Sequence, residues 1–124
     1  MKPYKHAVVS ANRWGGVPED YQELHDFFDM TKQNVPDMRH RMILHNSFGI
    51  FLLEKMFGKT ITNSHGRIVS VRDVGEQHVI EDLGFIPTLE KCFSSMKLEK
   101  WMGGQVGKSY KISLNESDKI SLVD

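Results

Sequence analysis

The stretch between Pro36 and Gly58 constrains the fold more than any other part of the chain. Met42, Ile43, Leu44, Phe48, Ile50 to Leu53, Met56 and Phe57 cover most of a helical wheel. A helix that is apolar nearly all round must be surrounded by protein, so the pattern predicts a buried central helix over residues 37–57, closed by Gly58 as a C-terminal cap. The chain has 124 residues, the length of one domain, so the remaining segments are expected to pack around that helix.

Those segments read mostly as helices too. Pro3 opens a short one that ends before Gly15-Gly16. Pro18 opens a second, with Glu19 and Asp20 where the helix dipole favours acids and Tyr21, Leu24, Phe27 and Phe28 at helical spacing. A fourth covers about Asp73 to Leu83 and stops at Gly84, and a fifth follows Pro87-Thr88 with Leu89, Cys92, Phe93 and Met96. Between the third and fourth, Thr60–Thr62 and Arg67–Val71 are β-prone and flank the turn sequence Asn63-Ser-His-Gly66. The expected fold is mainly α, with about five helices around the buried central one and one small hairpin at about 60–71. Residues 1–104 are expected to form a single helical domain. Residues 105–124, which alternate Lys, Ser and apolar types, are expected to form an edge strand or a loosely ordered tail.

Composition narrows the function. Sixteen Lys+Arg balance sixteen Asp+Glu, which argues against a nucleic-acid module held by bulk charge. The neutrality is a sum of opposed blocks: residues 19–29 and 73–90 contain acids and no Lys or Arg, while positive charge gathers at Arg39, Arg41 and from Lys91 to Lys111. The single cysteine, Cys92, excludes an intramolecular disulfide framework and is expected to be a buried, inert thiol. The N-terminal residues lack the apolar run of a signal peptide, and the longest apolar stretch falls far short of the ~20 residues of a membrane span. A cytoplasmic protein is the expectation.

Six histidines give the chain most of its chemical interest. His78, Glu81 and Asp82 lie three and four residues apart, on one face of the fourth helix, where an imidazole and a carboxylate can chelate a divalent ion. The central helix supplies His40 and His45, but on a regular helix these lie roughly 100–140° apart and cannot share one ion. Arg39 and Arg41 flank His40, an arrangement suited to phosphate or carboxylate, which guanidinium binds bidentately. His25 shares an edge of the second helix with Asp29 and Lys32. The adjacent His25-Asp26 invites comparison with the His-Asp phosphohydrolases, with His6 and Asp82 completing the set, although the usual sequence surroundings of that family are missing. His65 falls in the predicted turn, where exposure is expected. No phosphate-binding Gly-rich loop, dinucleotide fingerprint, zincin motif or nucleophile elbow is present.

Several motifs occur together: Pro3-Tyr4-x-His6-Ala7, Trp14-Gly15-Gly16, His25-x-x-Phe28-Asp29, Arg39-His40-Arg41, His45, Gly49-Ile-Phe-Leu52, Phe57-Gly58-x-Thr60-Ile-Thr-Asn-Ser64 and Gly75-Glu-Gln-His78-Val79-x-Glu81-Asp82-Leu83-Gly84-x-Ile86-Pro87. In these the chain resembles a family of small bacterial and tailed-phage proteins catalogued as a domain of unknown function. The resemblance spans roughly residues 3–102, leaves the segment from Gln105 onward outside, and implies a mostly helical domain without assigning a reaction. A phage-encoded member would work in the host cytoplasm.

The function expected from these residues is that of a metal-dependent hydrolase acting on a phosphoester or nucleotide. His78 and Asp82 with His40 or His45 would hold a zinc, manganese or iron ion. Glu81 and His25 would handle protons, and Arg39, Arg41 and Lys32 would anchor a phosphorylated ligand. The rival expectation is a non-enzymatic accessory protein that binds a host or phage protein, with the histidines in a structural polar network. Binding of nucleic acid through Arg39, Arg41 and the Lys91–Lys111 segment is a third.

Overall fold

The computed structural model of the protein describes residues 1–103. The chain divides into two units, Met1–Ser94 and Ser95–Asp124. In the second, the described element is a single 3-10 turn at Lys100–Met102; the tail expected at 105–124 lies outside the described residues.

The first unit contains α1 (Pro3–Trp14), α2 (Gln22–Asp29), α3 (Arg41–Leu44), α4 (Ser47–Phe57), β1 (Thr60–Thr62), β2 (Ile68–Ser70), α5 (Val71–Leu83) and α6 (Leu89–Phe93). The architecture is mainly α with one small antiparallel hairpin, in which Thr60 pairs with Ser70 and Thr62 with Ile68. Pro3 stands in the first turn of α1, Ser70 caps α5 by accepting from the Asp73 amide, and Gly84 ends α5 in the left-handed region at φ 85°. Helices α1, α2 and α4 pack on α5, and Tyr21, Phe28, Leu53, Val71, Val74 and Val79 are fully buried between them. The hairpin turn is pinned to the end of α1: buried Asn63 donates to the Trp14 carbonyl and the Tyr21 hydroxyl and accepts from the amides of His65 and Arg67. His65 itself is exposed, and Cys92 is buried. No helix among the described residues is long and apolar enough to cross a membrane.

The segment 37–57 is not one regular helix. A 3-10 turn at Met38–His40 leads into α3, and the chain then breaks at His45 (φ −79°, ψ 62°) and Asn46 (φ −160°, ψ 177°) before α4 begins. Four bonds hold the break. The Asn46 amide donates to the Leu44 carbonyl across His45, an inverse γ-turn. Asn46 Oδ1 accepts from the Gly49 amide as the cap of α4, and its Nδ2 donates back to the carbonyls of Met42 and Ile43. Hydrophobic periodicity carries no mark of this, because the residues on both sides of the break are apolar. The outer face of α4 is also less covered than its composition suggests, with Phe48, Phe51 and Met56 exposed.

Candidate metal centre

Helix spacing builds the centre from both sides. On α5, His78 and Asp82 are one turn apart, and their side chains are 0% and 1% exposed, with His78 Nε2 3.3 Å from Asp82 Oδ2. On α2, the same spacing places His25 and Asp29 on the buried side, while Asp26 points outward and bonds only to Gln22. The break after α3 then turns His45 into the space between them. Its Nε2 lies 2.9 Å from Asp82 Oδ2 and 3.6 Å from Asp29 Oδ1. Phe28 stacks on the His78 ring at 4.6 Å and forms the apolar wall of the site.

Asp29, His45, His78 and Asp82 each offer a ligand atom, all within 4.8 Å of one another. The two histidine Nε2 atoms lie 2.9 and 3.3 Å from Asp82 Oδ2, and 3.6 and 4.0 Å from Asp29 Oδ1. Ligands held at ~2.1 Å by a tetrahedral ion sit about 3.4 Å apart, so these separations bracket what one ion requires. The His45 and His78 planes cross at 62°, which lets their in-plane lone pairs converge. His6, His25 and His78 also come within ligand distance of one another, but their rings lie within 20–30° of parallel, His6 over His78 at 3.9 Å. Stacked rings do not point lone pairs at a common centre.

Hydrogen bonding sets the protons around His78. Gln77 Nε2 lies 2.9 Å from the His6 carbonyl and 2.8 Å from Glu81 Oε1, so it donates to both and Gln77 Oε1 is left to accept. Ser10 gives its one hydroxyl proton to that oxygen at 2.6 Å rather than to the His6 carbonyl at 3.1 Å, since otherwise two lone pairs would face each other at the shorter distance. The Ser10 oxygen then accepts from His25 Nε2 at 2.8 Å. The neutral His25 ring is left with a bare Nδ1, which takes the proton of His78 Nδ1 at 2.9 Å. His78 therefore keeps its lone pair on Nε2, buried, unpartnered by any hydrogen bond and facing the carboxylates.

Burial is the main reason both rings stay neutral. It pushes His25 down to about 2, with the neighbouring His78 and His6 imidazoles acting in the same direction, and His78 down to about 4 against the opposing pull of the nearby Asp82 carboxylate. His6 moves the other way. Burial disfavours its charge, but bonds to Asp82 and Glu81 outweigh that and raise it. Burial would raise Asp82, yet the imidazoles of His45, His6 and His78 gathered around it hold it far below the usual carboxylate range.

A pH dependence of stability follows for metal-free protein. Below the ordinary histidine value of 6.5 the unfolded chain takes up protons that folded His25 and His78 refuse, so stability falls as the pH drops from 6.5 toward 4 and below. Each ring contributes a slope of roughly one kcal/mol per pH unit across its window. His6 opposes this: its contribution is complete below 6.5 and is lost as pH rises through its raised value. Chelator-treated protein melted at pH 7, 6 and 5 is expected to lose stability at each step.

The other residues singled out from the sequence are spread over different positions. Arg41 reaches the centre, with Nη2 3.6 Å from Asp82 Oδ1, and Lys32 Nζ stands 4.0 Å from Asp29 Oδ2. Both line a cleft of about 610 Å³, together with Lys2, Lys5, Met38, His40 and Asp29. Arg39 is 79% exposed and bonded to Asp37. Glu81 Oε1 is occupied by His6 Nδ1 at 2.7 Å and Gln77 Nε2 at 2.8 Å. His25 sits in the hydrogen-bond chain behind His78. His40 bonds to the Asp37 carbonyl through Nδ1 and faces Asp29 through Nε2. The helix between His40 and His45 is not regular, and both approach Asp29 Oδ1, at 3.3 and 3.6 Å, but only His45 belongs to the converging group.

Asp29, Ser10 and Gln77 were not singled out as site residues. One signal was present: His6 and Ser10, His25 and Asp29, Arg41 and His45, and His78 and Asp82 are all polar pairs one helical turn apart.

No curated protein and no solved structure matches the chain. A family model described as a domain of unknown function, DUF6915, matches residues 1–102, and the chain belongs to that family.

Proposed function

We propose that the protein is a metal-dependent hydrolase of phosphoesters or nucleotides, with a divalent ion held by Asp29, His45, His78 and Asp82. The observation that carries this reading is the buried His78 Nε2. Gln77, Ser10 and His25 behind it fix its lone pair toward two carboxylates and the His45 imidazole at ligand separations. His78 Nε2 and Asp29 Oδ2 are both buried without a hydrogen-bond partner, and each unsatisfied polar group costs about 1–3 kcal/mol, which a bound ion would recover. The mixed nitrogen and oxygen donor set suits zinc, manganese or iron.

An ion there supplies Lewis acidity toward a phosphoryl oxygen and lowers the pKa of a water to ~7. The protein does the rest. Arg41 and Lys32, on the rim beside Asp82 and Asp29, hold the phosphoryl oxygens, and Lys2 and Lys5 extend the positive lining of the cleft. Water adds to phosphorus, the ester P–O bond breaks, and the leaving oxygen takes a proton to depart as an alcohol. Glu81 and His25 act in this reading by orienting His6 and His78: Glu81 Oε1 holds His6 Nδ1 and Gln77 Nε2, and both His25 nitrogens are hydrogen-bonded. A reduced, buried Cys92 suits a cytoplasmic enzyme.

The test is the metal content of protein purified without a histidine tag. At least one equivalent of zinc, manganese or iron is expected, absent from His78→Ala and from the less disruptive His78→Gln. Chelator is expected to lower the melting temperature and to stop hydrolysis of p-nitrophenyl phosphate or nucleotides. Metal-free protein whose melting responds neither to chelator nor to added metal sinks the reading and leaves the histidines as a structural network.

A further inference from the structure

Resting on that first ion, we propose that the centre takes a second divalent cation, between His40 and Asp29 on the cleft side, with Asp29 shared by the two. His40 Nδ1 is 2.8 Å from the Asp37 carbonyl oxygen, which can only accept, so Nδ1 carries the ring proton and Nε2 the lone pair. That lone pair meets Asp29 Oδ1 at 3.3 Å, another acceptor. Two acceptors facing each other with side chains 2% and 7% exposed repel, unless a cation stands between them or the ring gains a second proton. The separation is also that of two neighbouring ligands on one ion with ~2.1 Å bonds.

His40 is not among the four residues that converge on the first ion, and its ring lies 5.8 Å from His45 with the planes 85° apart. Its Nε2 therefore serves a different position. Asp29 Oδ1 faces His40 on one side and His45 and His78 on the other, so this one oxygen would bridge the two ions, while Oδ2 is buried with no hydrogen-bond partner and has Lys32 Nζ 4.0 Å away. Two protein ligands leave most of the coordination sphere to water and substrate, as magnesium and manganese prefer. Asp29 and His40 line the cleft with Lys32 and Arg41, so a ligand held by those cations can reach the second ion. Two ions sharing a carboxylate could clamp both the attacking and the leaving oxygen of a phosphoryl displacement, which is consistent with the phosphoester reading.

The test titrates Mn²⁺ into chelator-stripped, untagged full-length protein. Two equivalents are expected, the second weaker, with the paramagnetic resonance spectrum of a spin-coupled pair. His40→Ala and the milder His40→Gln should each bind one equivalent and show the uncoupled spectrum of an isolated ion. One equivalent in the unmodified protein overturns the second site while leaving the hydrolase reading in place, and marks His40–Asp29 as an ordinary ion pair. Two equivalents in both His40 variants also overturn it. No Mn²⁺ bound at all overturns the second site, while the first stands or falls on the metal content of the untagged protein.

Discussion

Replacing Asp82 with asparagine is expected to abolish metal binding and to destabilise the metal-free protein by about 3–5 kcal/mol, the usual result of removing one partner from a buried charged network. Asparagine keeps the shape of the side chain, so the effect isolates the charge. The Asp82 carboxylate is 1% exposed and is approached by His45, His78, His6 and Arg41 at 2.9, 3.3, 3.2 and 3.6 Å. An amide offers one acceptor where the carboxylate offers two oxygens, and it turns an NH₂ group toward the remaining neighbours. It also leaves His6, whose charge Asp82 and Glu81 sustain, with one carboxylate instead of two. Elemental analysis and urea unfolding of the stripped protein measure the two effects separately. Asp26→Asn is the matched control: the same change on an exposed residue bonded only to Gln22 should move stability by no more than about 0.5 kcal/mol. An Asp82→Asn variant that retains full metal content rules out the proposed centre.

The fold was readable from sequence wherever a signal repeated along one element. Pro3 and Gly84 mark helix ends by local chemistry, and the turn Asn63-Ser-His-Gly66 marks the hairpin, so those boundaries emerge close to where they stand. Pairing of His78 with Asp82 was readable for the same reason, because one helical turn decides it. The position of His45 was not. It depends on a break held by Asn46, a residue that reads as an ordinary polar position until its contacts to Met42, Ile43 and Gly49 are seen together. The roles of Ser10 and Gln77 were hidden for a related reason: each acts on a residue of another helix, across 67 and 71 positions of sequence. Asp29 lay between the cases. Its pairing with His25 is local, but its place opposite Asp82 is set by how α2 packs on α5. Charge blocks misled in one respect. Arg39 and Arg41 look equivalent in sequence, yet the 3-10 turn sends Arg39 to solvent and Arg41 toward Asp82.

Gly49→Ala should be the most damaging change outside the centre, costing more than about 3 kcal/mol. A methyl group added there would lie 1.7 Å from the Leu44 carbonyl oxygen and 2.5 Å from its carbon. Both are backbone atoms, so no rotamer change relieves the overlap and the ends of α3 and α4 must separate. Gly75→Ala gives the comparison, since its nearest contact is the movable tip of Leu53 at 3.1 Å. It should cost roughly 1 kcal/mol. The consequence for function comes through His45, which lies inside the turn that Gly49 closes. If the Gly49 variant folds at all, the separation carries His45 Nε2 away from Asp82 and Asp29, and metal affinity falls even though every ligand is still present. Gly75→Ala, which leaves the turn intact, should keep its metal. Urea unfolding and metal content of the two variants therefore test one geometric claim: the break at His45 is what turns an apolar segment into one side of a binding site. A Gly49→Ala protein as stable and as metal-rich as the original would mean that the break does not exist in solution.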